Sequence, residues 1–140
     1  MCLQARLNGT ACVLKEFVVL ETDLAMLFKE ARILHRLNHP CIAQVEGMFH
    51  GEHQKVYLQM PLYEGGRLDQ WLGRAGAAGR SSHEVLLVMQ QLAQGVAYLH
   101  ANRIIHCDIK PENIFMREEP LQAVIGDFDV SKDTHGRAAT

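Results

Sequence analysis

The chain has 140 residues, enough for one domain of ordinary size, and its 48% hydrophobic and 21% charged residues are typical of a globular protein rather than a disordered one. The formal net charge of -2, from 14 basic and 16 acidic residues, does not favour a surface for nucleic acid or another polyanion. No apolar run reaches the ~18 residues that a membrane helix needs, and residues 1–6 lack the basic start and apolar block of a signal peptide.

The first predicted elements are two strands joined by a tight turn. Residues 2–7 and 11–20 have strand character, and Asn8-Gly9 between them predicts a hairpin because both residues tolerate positive φ. Lys15 lies in the second of these strands. A lysine there is either a solvated residue of an edge strand or one held by a partner.

A helix is predicted next, from a cap at Thr22 or Asp23 to about Leu37. Six apolar residues recur at three- and four-residue steps and predict one buried face: Leu24, Leu27, Phe28, Ala31, Leu34 and Leu37. Glu30 lies on the flank of that face. It could reach a strand lysine there, or be solvated like most glutamates.

The middle of the chain predicts strands near residues 42–49 and 56–59, a Pro/Gly connection at 60–66 and a short helix at 68–72. Residues 73–80 are the loosest stretch and predict a mobile loop whose two arginines are solvated.

The longest predicted helix begins at a capping box formed by Ser81 and Glu84 and ends near His100. Six apolar residues at three- and four-residue steps predict its buried stripe: Val85, Val88, Met89, Leu92, Val96 and Leu99. On periodicity alone this is a core helix.

Residues 106–113 read His-Cys-Asp-Ile-Lys-Pro-Glu-Asn, and the proline keeps this segment out of helix. Asp108 could accept a proton, Lys110 could hold an anion, and Asn113 offers a carbonyl oxygen to a cation. One group of each kind on one loop is what phosphoryl transfer to a hydroxyl requires. The alternative is a polar turn that joins a helix to a strand.

Two short strands are predicted after this loop, at residues 114–116 and 123–125, and a polar, turn-like stretch occupies residues 131–140. The four cysteines are widely spaced and form no CxxC pair. This spacing predicts a reduced, intracellular and therefore cytoplasmic chain in which they act as small apolar side chains.

Four ordered motifs resemble those of eukaryotic protein kinases. Residues 106–113 are similar to the catalytic loop H-R-D-x-x-x-x-N, and Asp127-Phe128-Asp129, which begins fourteen residues after Asn113, is similar to D-F-G. Cys12-Val13-Leu14-Lys15 resembles the family's V-A-I-K strand, and Glu30 resembles its αC glutamate. The resemblance covers nearly the whole chain, and four ordered motifs are far more specific than one.

The resemblance implies an α+β, protein-kinase-like fold with a partial N-lobe sheet, helix αC and the upper part of a helical C-lobe. The expected organisation is one partial kinase domain over residues 1–140. Residues 1–59 would form the N-lobe, 60–66 the hinge, and 67–140 the start of the C-lobe up to the activation segment. The glycine-rich loop would precede this chain, and the A-P-E motif with the later C-lobe helices would follow it.

The function implied is a serine/threonine kinase that transfers the γ-phosphoryl group of ATP to a protein hydroxyl. Asp108 would orient that hydroxyl and take its proton, and Lys110 would steady the γ-phosphate. Asn113 and Asp127 would bind the Mg²⁺ ions that bridge the phosphates. The sequence Lys110-Pro111-Glu112 resembles serine/threonine kinases rather than tyrosine kinases.

The resemblance also implies an ATP site and a packing column. Lys15, oriented by Glu30, would contact the α- and β-phosphates. Four residues would border the adenine: Met60 as gatekeeper, Pro61 and Tyr63 through backbone groups, and Phe115 below the base. Leu34, Val45, His106 and Phe128 match the family's stacked regulatory column.

Two departures from the family pattern keep other functions open. Cys107 replaces the arginine that ordinarily pairs with a phosphate on the activation segment, which argues against control by such phosphorylation. Asp129 replaces the glycine of D-F-G, which removes a flexible joint and adds a carboxylate near the metals. The alternatives are a pseudokinase or nucleotide-binding interaction module, and a truncated fragment without activity. The sequence does not indicate the oligomeric state.

Overall fold

The computed structural model describes residues 2–19, 21–128 and 131–134. It divides the chain into two units, one made of Met1–Asn38 and Ala43–Leu62, the other of His39–Ile42 and Tyr63–Thr140. Strands and helices both contribute, so the predicted α+β class is confirmed. Residues 39–42 group with the second unit.

The first unit is a four-stranded antiparallel sheet and one helix. In chain order its elements are β1 (Cys2–Leu7), β2 (Thr10–Val18), α1 (Glu21–Arg36), β3 (Gly47–His50) and β4 (Lys55–Pro61). The strand order in the sheet is β1-β2-β4-β3. Asn8 and Gly9 have φ angles of 50° and 83°, so the predicted hairpin turn is confirmed.

The register of β2 decides which of its side chains share a face. Lys15 lies opposite Leu58 and Phe17 lies opposite Val56, both on β4. Because side chains alternate along a strand, Lys15 and Phe17 lie on one face of β2 and Glu16 on the other. The buried cluster of the first unit contains Leu27 of α1, Val56 and Leu58.

The buried face of α1 differs from the predicted one. Phe28 is 48% exposed, whereas Ile33, which the prediction omitted, is buried. The buried face is centred near Glu30, and Phe28, two residues away, lies on nearly the opposite side of the helix. The predicted cap at Thr22 or Asp23 and the side chain of Leu24 lie outside the described residues.

The predicted strand at residues 42–49 is wrong in its first half, since only Gly47–His50 is a strand. Ile42 instead forms a single bridge with Ile125 in the second unit, to which both residues belong. Its apolar character therefore reflects burial rather than membership of a strand.

The second unit contains helices α2 (Leu68–Gly73) and α3 (Ser82–Ala101) and strands β5 (Ile104–Ile105), β6 (Ile114–Glu118), β7 (Leu121–Ile125) and β8 (Lys132–Asp133). Strands β6 and β7 form an antiparallel hairpin, and β5 pairs with β8. One buried cluster joins α2, α3 and the hairpin: Leu68, Trp71, Val88, Ile114, Met116 and Ala123. The predicted capping box is confirmed by hydrogen bonds in both directions between Ser81 and Glu84.

The buried stripe of α3 is narrower than predicted, because Val85 and Met89 are exposed. Gly95 is buried instead, and a Cβ built there would lie 3.0 Å from Ile125 and 3.1 Å from Cys41. A glycine adds nothing to an apolar periodicity, so this contact between α3 and β7 could not be predicted from the pattern of apolar residues. Among the described residues, no helix has the length and apolar character needed to cross a membrane.

The two arginines of the stretch 73–80 also make hydrogen bonds within the chain, although the Arg74 side chain is 48% exposed. Arg80 donates to the Trp71 carbonyl at 2.6 and 3.1 Å, with its guanidinium 4.0 Å from the Trp71 ring centroid. Arg74 donates to the Gly65 carbonyl at 2.6 Å and to Glu118 at 2.8 Å. Both arginines therefore satisfy backbone carbonyls near α2.

Candidate active site

The first unit brings Lys15 and Glu30 together. The Lys15 Nζ lies 2.9 Å from both carboxylate oxygens of Glu30. The two side chains are 15% and 2% exposed, so neither is the solvated residue that the sequence left as an alternative. The Lys15 ammonium also lies 5.4 Å from the ring centroid of Phe17, its neighbour on the same face of β2.

The surroundings of Glu30 explain why this contact forms. A carboxylate buried on the apolar face of α1 must be paired, because an isolated buried charge is strongly unfavourable. Lys15 is on the face of β2 that carries Phe17, so its long side chain can reach the helix across the apolar cluster. The pair fixes an ammonium group at the face of the sheet.

The second unit brings Asp108, Lys110 and Asn113 together. The Asn113 side chain, itself buried, lies 2.9 Å from both the backbone carbonyl and the carboxylate Oδ2 of Asp108. Since both partners are acceptors, the amide nitrogen Nδ2 must face them. The Lys110 Nζ lies 3.5 Å from the same Oδ2. The Asp108 Oδ2 thus accepts a hydrogen bond from Asn113 and forms an ion pair with Lys110, and the side-chain carbonyl oxygen of Asn113 is turned away from Asp108.

His106 anchors this loop to the segment after β7. Its Nδ1 accepts the backbone N–H of Asp108 at 3.1 Å, so the ring proton is on Nε2, which donates to the Gly126 carbonyl at 2.6 Å. The Gly126 N–H donates in turn to the backbone carbonyl of Asn113 at 2.9 Å. These hydrogen bonds fix the segment that carries Asp127 against the loop that carries Asp108.

Asp127 and Cys107 both have left-handed backbone conformations, with φ angles of 54° and 71°. Residues with a Cβ rarely adopt such conformations, and strain of this kind is concentrated at functional sites. Phe128, which follows Asp127, is fully buried, with its ring centroid 4.9 Å from that of His106 and an angle of 66° between the ring planes. Asp129 and residues 135–140 lie outside the described residues. The expectation that Asp129 removes a flexible joint and adds a carboxylate near the metals therefore stays a prediction.

The four residues expected around adenine are distributed over both units. Met60 and Pro61 are the last residues of β4 in the first unit. Tyr63 and Phe115 belong to the second unit, where their rings stack with centroids 5.8 Å apart and an angle of 23° between planes. The Tyr63 carbonyl accepts the N–H of Gly66 at 3.0 Å.

Comparison with known proteins decides the family. A family model described as the protein kinase domain matches residues 4–140. The chain belongs to the protein kinase family. The protein-kinase-like fold expected from its four motifs is thereby confirmed.

Three curated relatives of this kinase chain show how widely the similarity extends. A bifunctional serine/threonine-protein kinase/NEDD4-like E3 ubiquitin-protein ligase of Dictyostelium discoideum is 33% identical over 135 residues, covering 92% of this chain and 7% of its own length. Serine/threonine-protein kinase 33 of Mus musculus is 36% identical over 121 residues, covering 81% and 24%. A meiosis-specific serine/threonine-protein kinase of Saccharomyces cerevisiae is 38% identical over 108 residues, covering 75% and 22%. The chain spans less than a quarter of the length of each relative.

The family generally uses ATP with Mg²⁺, and the chemistry of the described side chains fits both. Mg²⁺ is held by one or two hard oxygen ligands of the protein together with phosphates and water. Because the Asn113 amide nitrogen is bound to Asp108, its carbonyl oxygen is the atom left for a metal. Asp127 can supply a carboxylate, and the Lys15 ammonium can neutralise phosphate oxygens.

Three contacts of this kinase chain were not expected from its sequence. The hydrogen bonds of His106 to both sides of the site were missed, since only a packing role was assigned to it. The pairing of Gly65 with Met116 and the contact of Arg117 with Tyr63 were missed as well. The sequence does carry a signal for the place of Arg117. Side chains alternate along a strand, so Phe115 and Arg117 are predicted to share one face of the strand, and Ile114 and Met116 the other.

Proposed function

We propose that the protein carrying this chain is a serine/threonine kinase that transfers the γ-phosphoryl group of MgATP to a hydroxyl of a protein substrate. The observation that carries the proposal is the arrangement of Asp108, Lys110 and Asn113 on one loop. There the Asn113 amide lies within hydrogen-bonding distance of the Asp108 carboxylate, and the Lys110 ammonium lies within ion-pairing distance of it. Phosphoryl transfer needs a proton acceptor, charge neutralisation and fixed positions for the reacting groups.

Asp108 is the proposed proton acceptor. Asn113 and Lys110 both engage its Oδ2, which leaves Oδ1 as the oxygen that would meet the incoming hydroxyl. The buried Asn113 amide holds the carboxylate in one orientation, so little reorganisation is needed when a substrate arrives. Lys110 is half-exposed, and from that position it would steady the γ-phosphate.

ATP and Mg²⁺ are the proposed cofactors. When bound, Mg²⁺ neutralises charge on the phosphate oxygens. Asn113 and Asp127 would be its ligands, and Lys15, held by Glu30, would bind the α- and β-phosphates. Residues proposed to border the adenine base are Met60, Pro61, Tyr63 and Phe115. Pro61 has no N–H, so its contribution would be its carbonyl.

The substrate class rests on two further observations. The relatives are named serine/threonine kinases, and Lys110-Pro111-Glu112 has the pattern of that class. The proposed domain organisation has residues 1–59 in the N-lobe, 60–66 in the hinge and 67–140 in the C-lobe. The unpaired cysteines agree with an intracellular, cytoplasmic protein.

A transfer assay with γ-labelled ATP tests the proposal. We expect the full-length protein, given Mg²⁺ and generic protein substrates, to place label on serine or threonine. Transfer should stop when the metal is chelated, or when Lys15→Met removes the phosphate-binding ammonium. Label found only on tyrosine, or label transfer that ignores both treatments, would contradict the proposed function.

A second candidate is a nucleotide-binding interaction module without chemistry. It is favoured by Cys107, which stands exposed at the position of the family's arginine, with its Sγ directed to the Ile105 carbonyl at 3.6 Å. This candidate predicts that MgATP binds and that no phosphoryl transfer depends on Asp108. The same assay with Asp108→Asn separates the two candidates.

A further inference from the structure

The outer face of strand β6 carries a contact that the proposed roles do not use. Met116 is fully buried against α2 and α3, so the alternation along the strand places Phe115 and Arg117 together on the opposite face. Both contact Tyr63. The Phe115 ring centroid is 5.8 Å from that of Tyr63, and the Arg117 guanidinium carbon is 5.0 Å from the Tyr63 centroid.

Tyr63 is brought to this face by its backbone. The N–H of Gly65 donates to the Met116 carbonyl, and the Met116 N–H donates to the Gly66 carbonyl, both at 2.8 Å. The Gly66 N–H then donates to the Tyr63 carbonyl at 3.0 Å and closes a turn. Because the turn is fixed to β6, the Tyr63 ring lies beside the outer face of that strand.

The side-chain position of Tyr63 then depends on what holds its ring. Stacked aromatic rings tolerate sliding, because offset arrangements have similar energies. A cation near the ring is attracted to the electron-rich face and adds a second point of contact. Phe115 and Arg117, two residues apart on one strand, thus hold the Tyr63 ring at two points.

We propose that Arg117 is a positioning residue for base recognition, which it serves by holding the Tyr63 ring against Phe115. This inference rests on the proposed function, in which Tyr63 and Phe115 border the adenine base. Arg117 does not touch the nucleotide. Its charge holds the Tyr63 ring against Phe115, whose ring would lie below the base, and it has no part in binding the phosphates.

Two variants of Arg117 separate charge from shape. Arg117→Lys keeps the cation, whereas Arg117→Met keeps a long unbranched side chain and removes the cation. Arg67→Met is the matched control, because Arg67 bridges the backbone of Phe115 while its guanidinium pairs with Asp69 rather than with a ring. Binding of MgATP and of adenosine is measured by calorimetry on the full-length protein, together with KM and kcat.

We expect Arg117→Met to weaken the binding of MgATP and the binding of adenosine by the same factor, about threefold. This is the effect expected for the loss of one partly exposed cation–π contact. Arg117→Lys and Arg67→Met should bind both ligands like the wild type. The KM for ATP should rise by the same factor in Arg117→Met, with kcat unchanged. In a Tyr63→Leu background, Arg117→Met should have no further effect on adenosine binding.

Three results would overturn the inference alone, given wild-type protein that binds MgATP. The first is an adenosine affinity that is unchanged in Arg117→Met. The second is a loss of adenosine affinity in Arg117→Lys equal to that in Arg117→Met. The third is a further loss of adenosine affinity when Arg117→Met is added to Tyr63→Leu. Wild-type protein that binds no MgATP would instead overturn the proposed function, and the inference with it. If Arg117→Met does not fold, Arg117→Gln also removes the charge and takes its place.

Discussion

At the residue scale, His106 links the two segments that carry the proposed catalytic groups. Its imidazole is 3% exposed and makes one hydrogen bond to the Asp108 N–H and one to the Gly126 carbonyl. Its ring also packs against the Phe128 ring in a T-shaped arrangement. The position of Asp108 relative to Asp127 therefore depends on a residue that neither accepts a proton from substrate nor binds metal in the proposed reaction.

The substitution His106→Phe tests this dependence. Phenylalanine keeps the ring packing and removes both hydrogen bonds, which leaves the part-buried Asp108 N–H and the buried Gly126 carbonyl unsatisfied. We expect the free energy of unfolding to fall by about 2–4 kcal/mol, at about 1–2 kcal/mol for each group. Chemical denaturation measures it. His100→Phe, at an exposed position in the last turn of α3, should change stability by less than about 0.5 kcal/mol, and an equal loss in both variants would contradict the assigned role.

The sequence was most informative where the contacts are local. Asp108, Lys110 and Asn113 lie within six residues, and the proline-containing loop between them has few ways to fold, so their spacing alone predicted a common site. The Lys15–Glu30 contact spans fifteen residues and two elements. Its formation depends on which face of β2 packs against α1, and periodicity alone placed Glu30 only near that face.

At the scale of elements, the segment after Tyr63 is fixed to strand β6 by a close approach of backbones. A Cβ built on Gly65 would lie 2.6 Å from the Met116 carbonyl oxygen, closer than such atoms approach in proteins. This glycine is therefore required by packing against β6. The adjacent hydrogen bonds between Gly65, Gly66 and Met116 would all be disturbed by a larger residue.

The substitution Gly65→Ala should lower the free energy of unfolding by about 1–3 kcal/mol, because the backbone must shift to accommodate the methyl group. Gly73→Ala is the matched control, since a Cβ there meets nothing within 4 Å at the end of α2. That variant should be neutral or up to about 1 kcal/mol more stable, because alanine favours helix. Thermal and urea denaturation measure the stabilities of the two variants. Equal stabilities of Gly65→Ala and Gly73→Ala would contradict the requirement for glycine at position 65.

On the face of β2 opposite to Lys15, Glu16 contacts a lysine and a tyrosine of β4. These contacts predict how the stability of the first unit responds to pH. Glu16 accepts hydrogen bonds from Lys55 at 3.2 Å and from Tyr57 at 3.0 Å. The bond from Lys55 lowers the pKa of Glu16 below its usual 4.5, and the bond to Glu16 raises the pKa of Tyr57 above its usual 10.0. Folding thus favours the charged carboxylate and the neutral phenol.

The sign of the pH dependence follows from these directions. The contribution of Glu16 is complete above its unfolded pKa of 4.5 and is lost as the pH falls through the lower folded value. The contribution of Tyr57 is complete below pH 10.0 and is lost as the pH rises through the higher folded value. Stability measured against pH should therefore decline at both extremes less steeply in Glu16→Gln than in the wild type. Parallel curves of stability against pH for the two proteins would show that the hydrogen bonds of Glu16 contribute nothing to the pH dependence of stability.

Most elements were predictable and most of the wrong assignments have a common cause. The hairpin of β1 and β2, the helix α1 and the capped helix α3 follow from turn, periodicity and capping signals that act within a few residues. The exposure of Phe28 and the burial of Gly95 depend on which surface of the rest of the fold each helix meets. Apolar periodicity cannot supply that information.

At the scale of the whole molecule, the proposed catalytic residues are divided between the two units. Lys15 and Glu30 belong to the first, whereas Asp108, Asn113 and Asp127 belong to the second. The proposed reaction would use residues of both units, so experiments on activity belong with the full-length protein.

The measurement that most directly tests the central claim compares turnover and MgATP binding in Asp108→Asn. This substitution keeps the shape of the side chain and an oxygen to accept the Asn113 amide, but removes the group proposed to take the proton. We expect kcat to fall by about 10²- to 10⁴-fold with MgATP affinity unchanged, while Asp69→Asn, at a surface pair with Arg67, leaves both unchanged. Turnover in Asp108→Asn within a few-fold of the wild type would contradict the account.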